Sequence, residues 1–183
     1  MKVYIIEVHG ITAALHGLGL SYGVTSGFAV GEADYSRPLE VAKRLAGRGG
    51  GHDKFLRQIV AWLDVTAPAY FWPQLDQYKV ATVTQSEGKM HTLLKNPITQ
   101  ECFELPIHPA FLGFLESQRK AKNFSGLLNA LPHGWLQRRI LSCSAATLRN
   151  IIEQRRGHKL PEWGVFIDAV VACDELKPFM GVE

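Results

Sequence analysis

A polar segment in the middle of the chain most constrains how it can fold. Residues 74–91, QLDQYKVATVTQSEGKMH, follow the proline-punctuated aromatic cluster APAYFWP and place Lys79 and Lys89 among hydroxyl and amide side chains. Burial of apolar surface drives folding, so a segment with so few hydrophobic side chains contributes little to a core. A compact chain must therefore use this segment for something other than core packing.

Length and composition indicate one ordinary globular domain. The chain has 183 residues, of which 46% are hydrophobic and 20% are charged. This size is enough for one sizeable core, so we expect a single domain over residues 1–183. The formal net charge is only +3. This small excess lacks the strongly basic balance of a protein that binds polymeric nucleic acid.

Cysteine usage and hydrophobic runs predict a cytoplasmic protein without a membrane segment. Cys102, Cys143 and Cys173 are widely spaced and free of any C-x-x-C pair, which argues against a disulfide framework and a zinc site. We predict no metal site. Glu7 and His9 interrupt the first apolar stretch, so a secretory signal is not expected. No apolar run approaches the roughly 20 residues that span a bilayer.

Sequence patterns in the first third predict a strand, a loop and two helices. KVYIIEV is rich in β-branched and aromatic residues and predicts a strand, whereas the glycine-rich residues 17–37 predict loop or irregular strand. RPLEVAKRLAG has a proline near its start and a glycine at its end, which is typical of a helix. Residues 52–65, HDKFLRQIVAWLDV, have apolar side chains at helical spacing and predict a helix with Asp53 as its N-cap.

The remainder of the chain is predicted to contain four further helices. A short one begins at Pro73, and a second covers AFLGFLESQRKAK. A third, AATLRNIIEQRR, buries its leucine and isoleucines on one side and ends at Gly157. Pro161 opens the fourth, PEWGVFIDAVVACDEL. The junction between the last two helices carries Arg155, Arg156 and His158.

The chemically active side chains indicate a nucleotide pocket more than any standard catalytic site. The chain lacks a Walker loop, a G-x-G-x-x-G turn and an H-E-x-x-H helix, and its seven histidines are scattered. GGGHD, QLDQYK, QRR and QRRGH instead combine groups that suit phosphate with groups that suit a heterocycle edge. The alternative is structural. Arg155 and Arg156 then only complement a helix dipole, worth about 0.3–1 kcal/mol each, while His52 is a helix-entry residue and Gln74 occupies a solvated polar position.

Residues 50–79, GGHDKFLRQIVAWLDVTAPAYFWPQLDQYK, resemble a segment of the flavin-dependent thymidylate synthases. That segment begins with glycine-histidine, runs through an amphipathic helix and reaches a glutamine-leucine-valine-arginine-histidine-arginine signature. Gln74 and the following leucine match the signature. Its arginine-histidine-arginine positions are occupied here by Gln77, Tyr78 and Lys79.

The resemblance continues without a gap beyond this signature. Conservative replacements of the family's next polar residues stand at Thr82, Thr84, Gln85 and Lys89. Glu87 falls on a serine of the family pattern, and a slip of one residue puts Ser86 there instead.

The C-terminal third is similar to the same family. LPHGWLQRRILSCSAATLRNIIEQRRGHKLPEW resembles a leucine-proline pair followed by the substrate-binding helix, with an arginine and a histidine at its end. Arg155 or Arg156 takes the position of the arginine that binds the pyrimidine base, and His158 that of a histidine on the flavin side. The resemblance therefore runs in order from about Gly51 to Trp163.

The resemblance implies an α+β fold with a mostly antiparallel sheet flanked by helices. It also implies a homotetramer whose sites are shared between subunits. In that family the polar segment lines a site where the flavin lies against the nucleotide, and a polar groove requires such side chains. This explains why residues 74–91 contain so little hydrophobic surface.

The implied activity is methylation, or hydroxymethylation, of a pyrimidine deoxynucleotide such as dUMP at C5. Methylenetetrahydrofolate supplies the carbon and NADPH reduces the FAD, so the cofactor performs the hard chemistry and no protein nucleophile is required. Base binding and catalysis are implied for Arg155 or Arg156. Phosphate binding is implied for Lys89, with Gln85 and Ser86 beside it. Flavin binding is implied for His52, Gln74, Gln77, Tyr78, Lys79 and His158.

Departures from the family pattern leave a second hypothesis open. Gln77 and Lys79 lack the rigid guanidinium fork that holds phosphate, so these exchanges are not conservative. Glu87 repels phosphate if it faces the site, and Arg138 or Arg139 is a candidate to compensate. The alternative is a non-catalytic protein that binds a pyrimidine nucleotide and has lost flavin chemistry. A third alternative is a structural subunit that shares only the fold.

Overall fold

The computed structural model describes residues 1–23 and 36–181 and contains a four-stranded antiparallel sheet flanked by helices. The spatial order of the strands is β1-β2-β4-β3, and every neighbouring pair is antiparallel. The predicted α+β fold class is therefore confirmed. The strands are β1 Lys2–His9, β2 Val60–Pro68, β3 Thr82–Ser86 and β4 Leu136–Ser144.

Short helices connect and cover the strands. Within residues 1–23 and 36–181, every helix is too short or too polar to traverse a lipid bilayer. Two 3₁₀ turns, Lys54–Arg57 and Gln100–Cys102, supplement the α-helices. The α-helices are α1 Ile11–Leu20, α2 Ser36–Leu45, α3 Trp72–Leu75, α4 Lys89–Thr92, α5 Pro109–Lys120, α6 Phe124–Ala130, α7 Ala145–Arg155, α8 Glu162–Val171 and α9 Lys177–Met180.

The prediction of a helix over residues 52–65 is wrong. The chain makes one 3₁₀ turn at Lys54–Arg57 and then enters β2, the strand between β1 and β4. Along β2 buried and half-buried residues alternate, with Leu63 fully buried, and this is the two-residue period of a strand. Asp53 does not cap a helix, because its carboxylate accepts a hydrogen bond from the amide of Gly49 at 3.2 Å.

Other local predictions are confirmed with adjusted boundaries. The structure has β1, α2, α5, α7 and α8 where the sequence predicted them. Gly157 adopts the left-handed conformation, with φ at +72°, just after α7, as expected for the residue that ends a helix. The predicted helix at Pro73 is shorter than expected, since α3 contains Gln74 but ends before Gln77 and Tyr78.

The prediction of loop or irregular strand for residues 17–37 is wrong at both of its ends. Residues 17–20 belong to α1, where Gly19 is buried, and α2 begins at Ser36. Tertiary packing here outweighs the low helix propensity of glycine. The part of the prediction that falls on residues 24–35 lies outside the described residues. Strands β3 and β4 were not predicted, because each depends on a partner that is distant in sequence.

The main hydrophobic core lies on one face of the sheet. Buried side chains of β2 and β4, including Leu63 and Leu141, pack with residues of α1, α2, α7, α8 and α9. Residues from α4 to α6 and their connecting segments form a second, smaller hydrophobic cluster, in which Leu115 and Leu127 are fully buried. The opposite face of the sheet carries exposed apolar side chains, among them Tyr4 at 62% and Val83 at 66% exposure.

We expect Leu63→Ala to lower the free energy of unfolding by about 2–5 kcal/mol, because it leaves a cavity in the centre of the main core. Urea denaturation followed by circular dichroism measures this change. The matched control is Leu105→Ala, at an exposed leucine outside the sheet, for which we expect less than about 1 kcal/mol. Equal losses in the two variants would contradict the assignment of the buried face.

Candidate functional site

A cleft of about 530 Å³ lies between residues 77–81 and the exposed side of helix α7. Residues 77–81, which form one wall of the cleft, belong to the polar segment 74–91 identified from the sequence. Asn150, Gln154 and Arg155 of α7 form the opposite wall, and Arg57 lies at the cleft from the turn before β2. The cleft thus combines three stretches that are far apart in sequence.

The sheet positions both walls of the cleft. Strand β4 runs directly into α7, and the amide of Ala145 donates to the carbonyl of Ile59 at 2.8 Å. The Ser144 hydroxyl caps α7 by accepting from the amide of Thr147 at 3.2 Å. On the other wall, the carbonyl of Val80 accepts from the Thr147 hydroxyl at 2.9 Å.

Ala81 ends the wall formed by residues 77–81 in an uncommon backbone conformation. Its φ is +54° although it is not a glycine, and its carbonyl accepts from the amide of Ser144 at 3.2 Å. A left-handed conformation at a residue with a Cβ costs free energy, and surrounding contacts must hold it. The bonds to Ser144 and Thr147 supply such contacts.

Hydrogen-bonded side chains close the end of the cleft that lies at the C-terminus of α7. The Nε of Arg155 donates to the Tyr78 hydroxyl at 2.9 Å, and this hydroxyl donates to Oε1 of Gln154 at 3.0 Å. The guanidinium of Arg155 also lies 4.8 Å from the ring centre of Trp163. These contacts restrict the rotation of Arg155 and orient its guanidinium.

Gln74 and His158 adjoin this group through Trp163 without lining the cleft. The indole Nε1 of Trp163 donates to Oε1 of Gln74 at 3.0 Å. The His158 ring lies edge-on to Trp163 at 6.3 Å, and its Nδ1 accepts from the amide of Leu160 at 3.1 Å. Both residues therefore support the fully buried Trp163 on which Arg155 packs.

Positive charge dominates the cleft. Its lining includes Arg57, Lys79 and Arg155 and no aspartate or glutamate. None of these three cations forms an ion pair with a residue in the described part of the chain. A concave surface with cations of one sign raises the local concentration of anions. The geometry therefore suits an anionic ligand with a planar polar ring system.

Other predicted site residues lie outside this cleft in the single chain. Gln85 and Ser86 line a groove on strands β3 and β4, and Lys89 begins α4. His52 lines a separate pocket of about 230 Å³ beside α1. Arg156 is directed toward the C-terminal residues, where it donates to the carbonyl of Gly181 at 3.4 Å. The structure thus brings together Gln77, Tyr78, Lys79 and Arg155 from the predicted set.

The two arginines proposed to compensate for the lost guanidinium groups are both paired with carboxylates. Arg138 donates two hydrogen bonds to Asp64, and this lowers the pKa of the Asp64 carboxyl below its ordinary value. Arg139 lies 3.1 Å from a carboxylate oxygen of Asp76 and 4.3 Å from the centre of the Trp72 ring. Neither arginine lines the cleft.

Sequence reasoning missed Arg57, Asn150 and Gln154. Asn150 and Gln154 lie four positions apart in the sequence and are therefore adjacent on one face of α7. The buried residues Leu148, Ile151 and Ile152 form the opposite, apolar side of α7. The polar stripe of Asn150 and Gln154 is therefore a sequence signal from which this side of the site can be predicted. Arg57 gave no such signal, because its approach to α7 depends on the pairing of β2 with β4.

A catalytic cysteine is not part of this site. Cys143 is fully buried on β4, opposite Thr82 of β3, and burial raises the pKa of its thiol to about 11. Its sulfur lies 3.7 Å from the Thr82 hydroxyl. The thiolate is the nucleophilic form of cysteine, and it is scarce at neutral pH for such a group. Residues 1–23 and 36–181 also contain no group of three or more His, Cys, Asp and Glu side chains that could hold a metal ion.

Two solved structures share the fold of this chain over nearly its whole length. A crystal structure of the flavin-dependent thymidylate synthase ThyX from Helicobacter pylori, complexed with FAD and dUMP, matches with a TM-score of 0.75. The sequence identity is 14%, and the match covers 98% of this chain and 97% of that chain. A second structure of Thymidylate Synthase X from the same organism, with FAD and dUMP, matches at a TM-score of 0.73 and 15% identity over 100% of both chains.

Comparisons of sequence alone find no relative. No protein-family model matches the chain, and no curated protein sequence matches it significantly. The structural similarity extends over the whole chain, so the α+β fold is that of the ThyX structures. Since a fold hosts more than one function, the activity must be argued from the cleft.

We expect Tyr78→Phe to lower the free energy of unfolding by about 0.5–1.5 kcal/mol, because it removes the hydroxyl that joins Arg155 to Gln154 and keeps the ring. Urea denaturation measures the loss, and the NMR signal of the Arg155 Nε–H should show increased motion. Tyr4→Phe, on the exposed sheet face, is the control and should change neither quantity. An unchanged Arg155 signal in Tyr78→Phe would contradict the proposed orientation.

The three cysteines should differ in reactivity toward a thiol reagent at pH 8. Cys102 and Cys173 are partly exposed and Cys143 is buried, so we expect Cys143 to react only after unfolding. Its thiolate fraction stays small until the pH approaches the pKa of about 11. Mass spectrometry of peptides identifies the labelled cysteine. Labelling of the native protein at Cys143 as fast as at Cys102 would contradict its burial.

Proposed function

We propose that this protein is a divergent flavin-dependent thymidylate synthase-like enzyme. Its substrate is a pyrimidine deoxynucleotide such as dUMP, which it methylates or hydroxymethylates at C5. The observation that carries the proposal is the cationic cleft built around Tyr78 and Arg155. The cleft occurs in a chain that shares its fold, over its whole length, with structures that contain FAD and dUMP.

The residues of the cleft fit a flavin nucleotide. The guanidinium of Arg155 and the ring of Tyr78 line the cleft and offer flat surfaces for a planar ring system. Side-chain amides of Asn150 and Gln154 provide donors and acceptors for ring edges. Lys79 supplies positive charge without a competing carboxylate in the lining. When bound and reduced by NADPH, FAD supplies the hydride that completes the methyl group after methylenetetrahydrofolate has donated the carbon.

In this proposal Arg155 binds and polarises the pyrimidine base. Its Nε is committed to Tyr78, so the fixed guanidinium presents its terminal nitrogens to a carbonyl oxygen. C5 becomes nucleophilic as negative charge builds up on the pyrimidine ring and its carbonyl oxygens, and a preorganised donor stabilises such charge. Tyr78 and Trp163 contribute by holding this donor in position.

We further propose that the working protein is a cytoplasmic homotetramer with sites shared between subunits. Gln85, Ser86 and Lys89, expected to bind the substrate phosphate, lie outside the cleft of their own chain. A neighbouring subunit would bring such a surface to the cleft. The exposed apolar side chains on the open sheet face, such as Tyr4 and Val83, favour burial in an assembly.

A second candidate function is non-catalytic binding of a pyrimidine nucleotide. The observation in its favour is the exposure of Gln77 and Lys79, which replace a bidentate guanidinium with an amide and a flexible ammonium. Base binding by Arg155 does not depend on either residue. In this second function the protein binds a nucleotide but no flavin. A turnover assay distinguishes the two functions.

The test of the proposed enzyme is formation of a C5-methylated or hydroxymethylated product from dUMP, NADPH, methylenetetrahydrofolate and FAD. We expect wild-type turnover and a loss in kcat/KM of about 10–100-fold in Arg155→Gln, the size expected for one charged hydrogen bond. Arg156→Gln should stay within about twofold, because Arg156 lies outside the cleft. Product is measured by liquid chromatography with mass spectrometry.

The outcomes distinguish the two candidates. Saturable binding of dUMP without any product would contradict the enzyme and support the binding protein. An effect of Arg156→Gln that exceeds that of Arg155→Gln would contradict the assignment of the base to Arg155. Absence of binding to dUMP and to FAD would contradict both functions.

A further inference from the structure

We infer that Arg57 binds the phosphate group of the ligand in this cleft, an assignment that rests on the proposed function. Arg57 lies within the segment that resembles the thymidylate synthase pattern, residues 50–79, but the resemblance assigns it no role. The structure places it in the cleft lining together with Lys79 and Arg155. The ligand class is a phosphate ester whose planar ring system lies at the Tyr78 end of the cleft.

The fold holds Arg57 in this position. Arg57 ends the 3₁₀ turn that precedes β2, and the buried side chains of Phe55 and Leu56 anchor that turn in the core. Two residues later, the carbonyl of Ile59 accepts from the amide of Ala145 at 2.8 Å. The start of α7 is thereby fixed beside the turn, and the exposed Arg57 is left at the cleft.

Arg57 and Arg155 lie at opposite ends of the cleft. Residues 77–81 run antiparallel to α7, because Tyr78 bonds to Gln154 and Val80 bonds to Thr147. Arg57 is beside the first residues of α7, and Arg155 is its last residue. With a rise of 1.5 Å per residue, the helix separates the two ends by roughly 15 Å. The ring-binding group occupies one end, and Arg57 provides a cation at the other.

The charge at Arg57 is available to a ligand. Within residues 1–23 and 36–181, its guanidinium has no hydrogen-bonded or ion-paired partner, and no carboxylate lines the cleft. Arg138 and Arg139, by contrast, are paired with Asp64 and Asp76. Arg57 therefore supplies the planar bidentate donor that Gln77 and Lys79 do not provide.

Two ligand pairs that differ only in phosphate test this assignment. Isothermal titration calorimetry compares FAD with riboflavin, and dUMP with deoxyuridine, on the full chain. We expect Arg57→Gln to weaken the phosphate-bearing member of one pair by about 10–100-fold, as for a lost charged hydrogen bond. The pair that responds identifies the source of the phosphate. Arg57→Lys should recover part of the affinity, because it keeps the charge without the fork.

Controls separate a phosphate contact from general damage. Arg48→Gln removes an exposed arginine outside the cleft and should leave all affinities within about twofold of wild type. Affinity in Arg57→Gln should also depend less on salt than in wild type, because one charged contact is missing. Thermal unfolding of each variant shows whether the fold is retained.

Three outcomes would overturn the inference. The first is an Arg57→Gln variant that binds FAD and dUMP as tightly as wild type, and this leaves the proposed function intact. The second is equal weakening of the phosphate-free and phosphate-bearing ligands, which indicates a structural role. The third is a wild-type protein that binds neither FAD nor dUMP, which contradicts the proposed function as well.

Discussion

Pairing between β2 and β4 is the constraint on which the rest of the structure depends. The two strands pair along their whole lengths, from Val60 opposite Ser144 to Pro68 opposite Leu136. Since α7 follows β4 without a loop, this register also fixes where α7 begins. A slip of one residue would turn Leu63 and its buried neighbours toward the open face of the sheet. The core and the cleft therefore share one determinant.

Hydrogen bonds hold the polar segment in place and leave the cations of the cleft unpaired with any carboxylate of the described residues. Tyr78 and Val80 bond to α7 and Ala81 bonds to Ser144 just before it, so the wall is held in place although it adds little apolar surface. The cations beside it are not neutralised by carboxylates of the lining. Unpaired cations in a concave site contribute little to folding but favour the binding of an anion. This arrangement is what distinguishes the cleft from the paired arginines on β4.

Sequence reasoning succeeded where local signals determine the structure and failed where distant pairing does. Helix α7 has a complete local pattern, with buried Leu148 on one face and Gly157 after its end. Strand β2 misled because Phe55, Ile59 and Leu63 fit a helical period, while pairing with β1 and β4 decides its conformation. Local sequence patterns did not place Tyr78 and Arg155 in one site, and these residues were predicted through a family resemblance. Arg57 reaches the cleft only through tertiary structure.

We propose that the cleft around Tyr78 and Arg155 is a flavin nucleotide site. The most direct measurement is the visible absorbance spectrum of the purified protein before and after incubation with excess FAD and desalting. We expect a flavin spectrum that remains with the protein, close to one flavin per chain. Loss of all flavin absorbance on desalting, from protein whose circular dichroism shows that it is folded, would contradict a flavin site in this cleft.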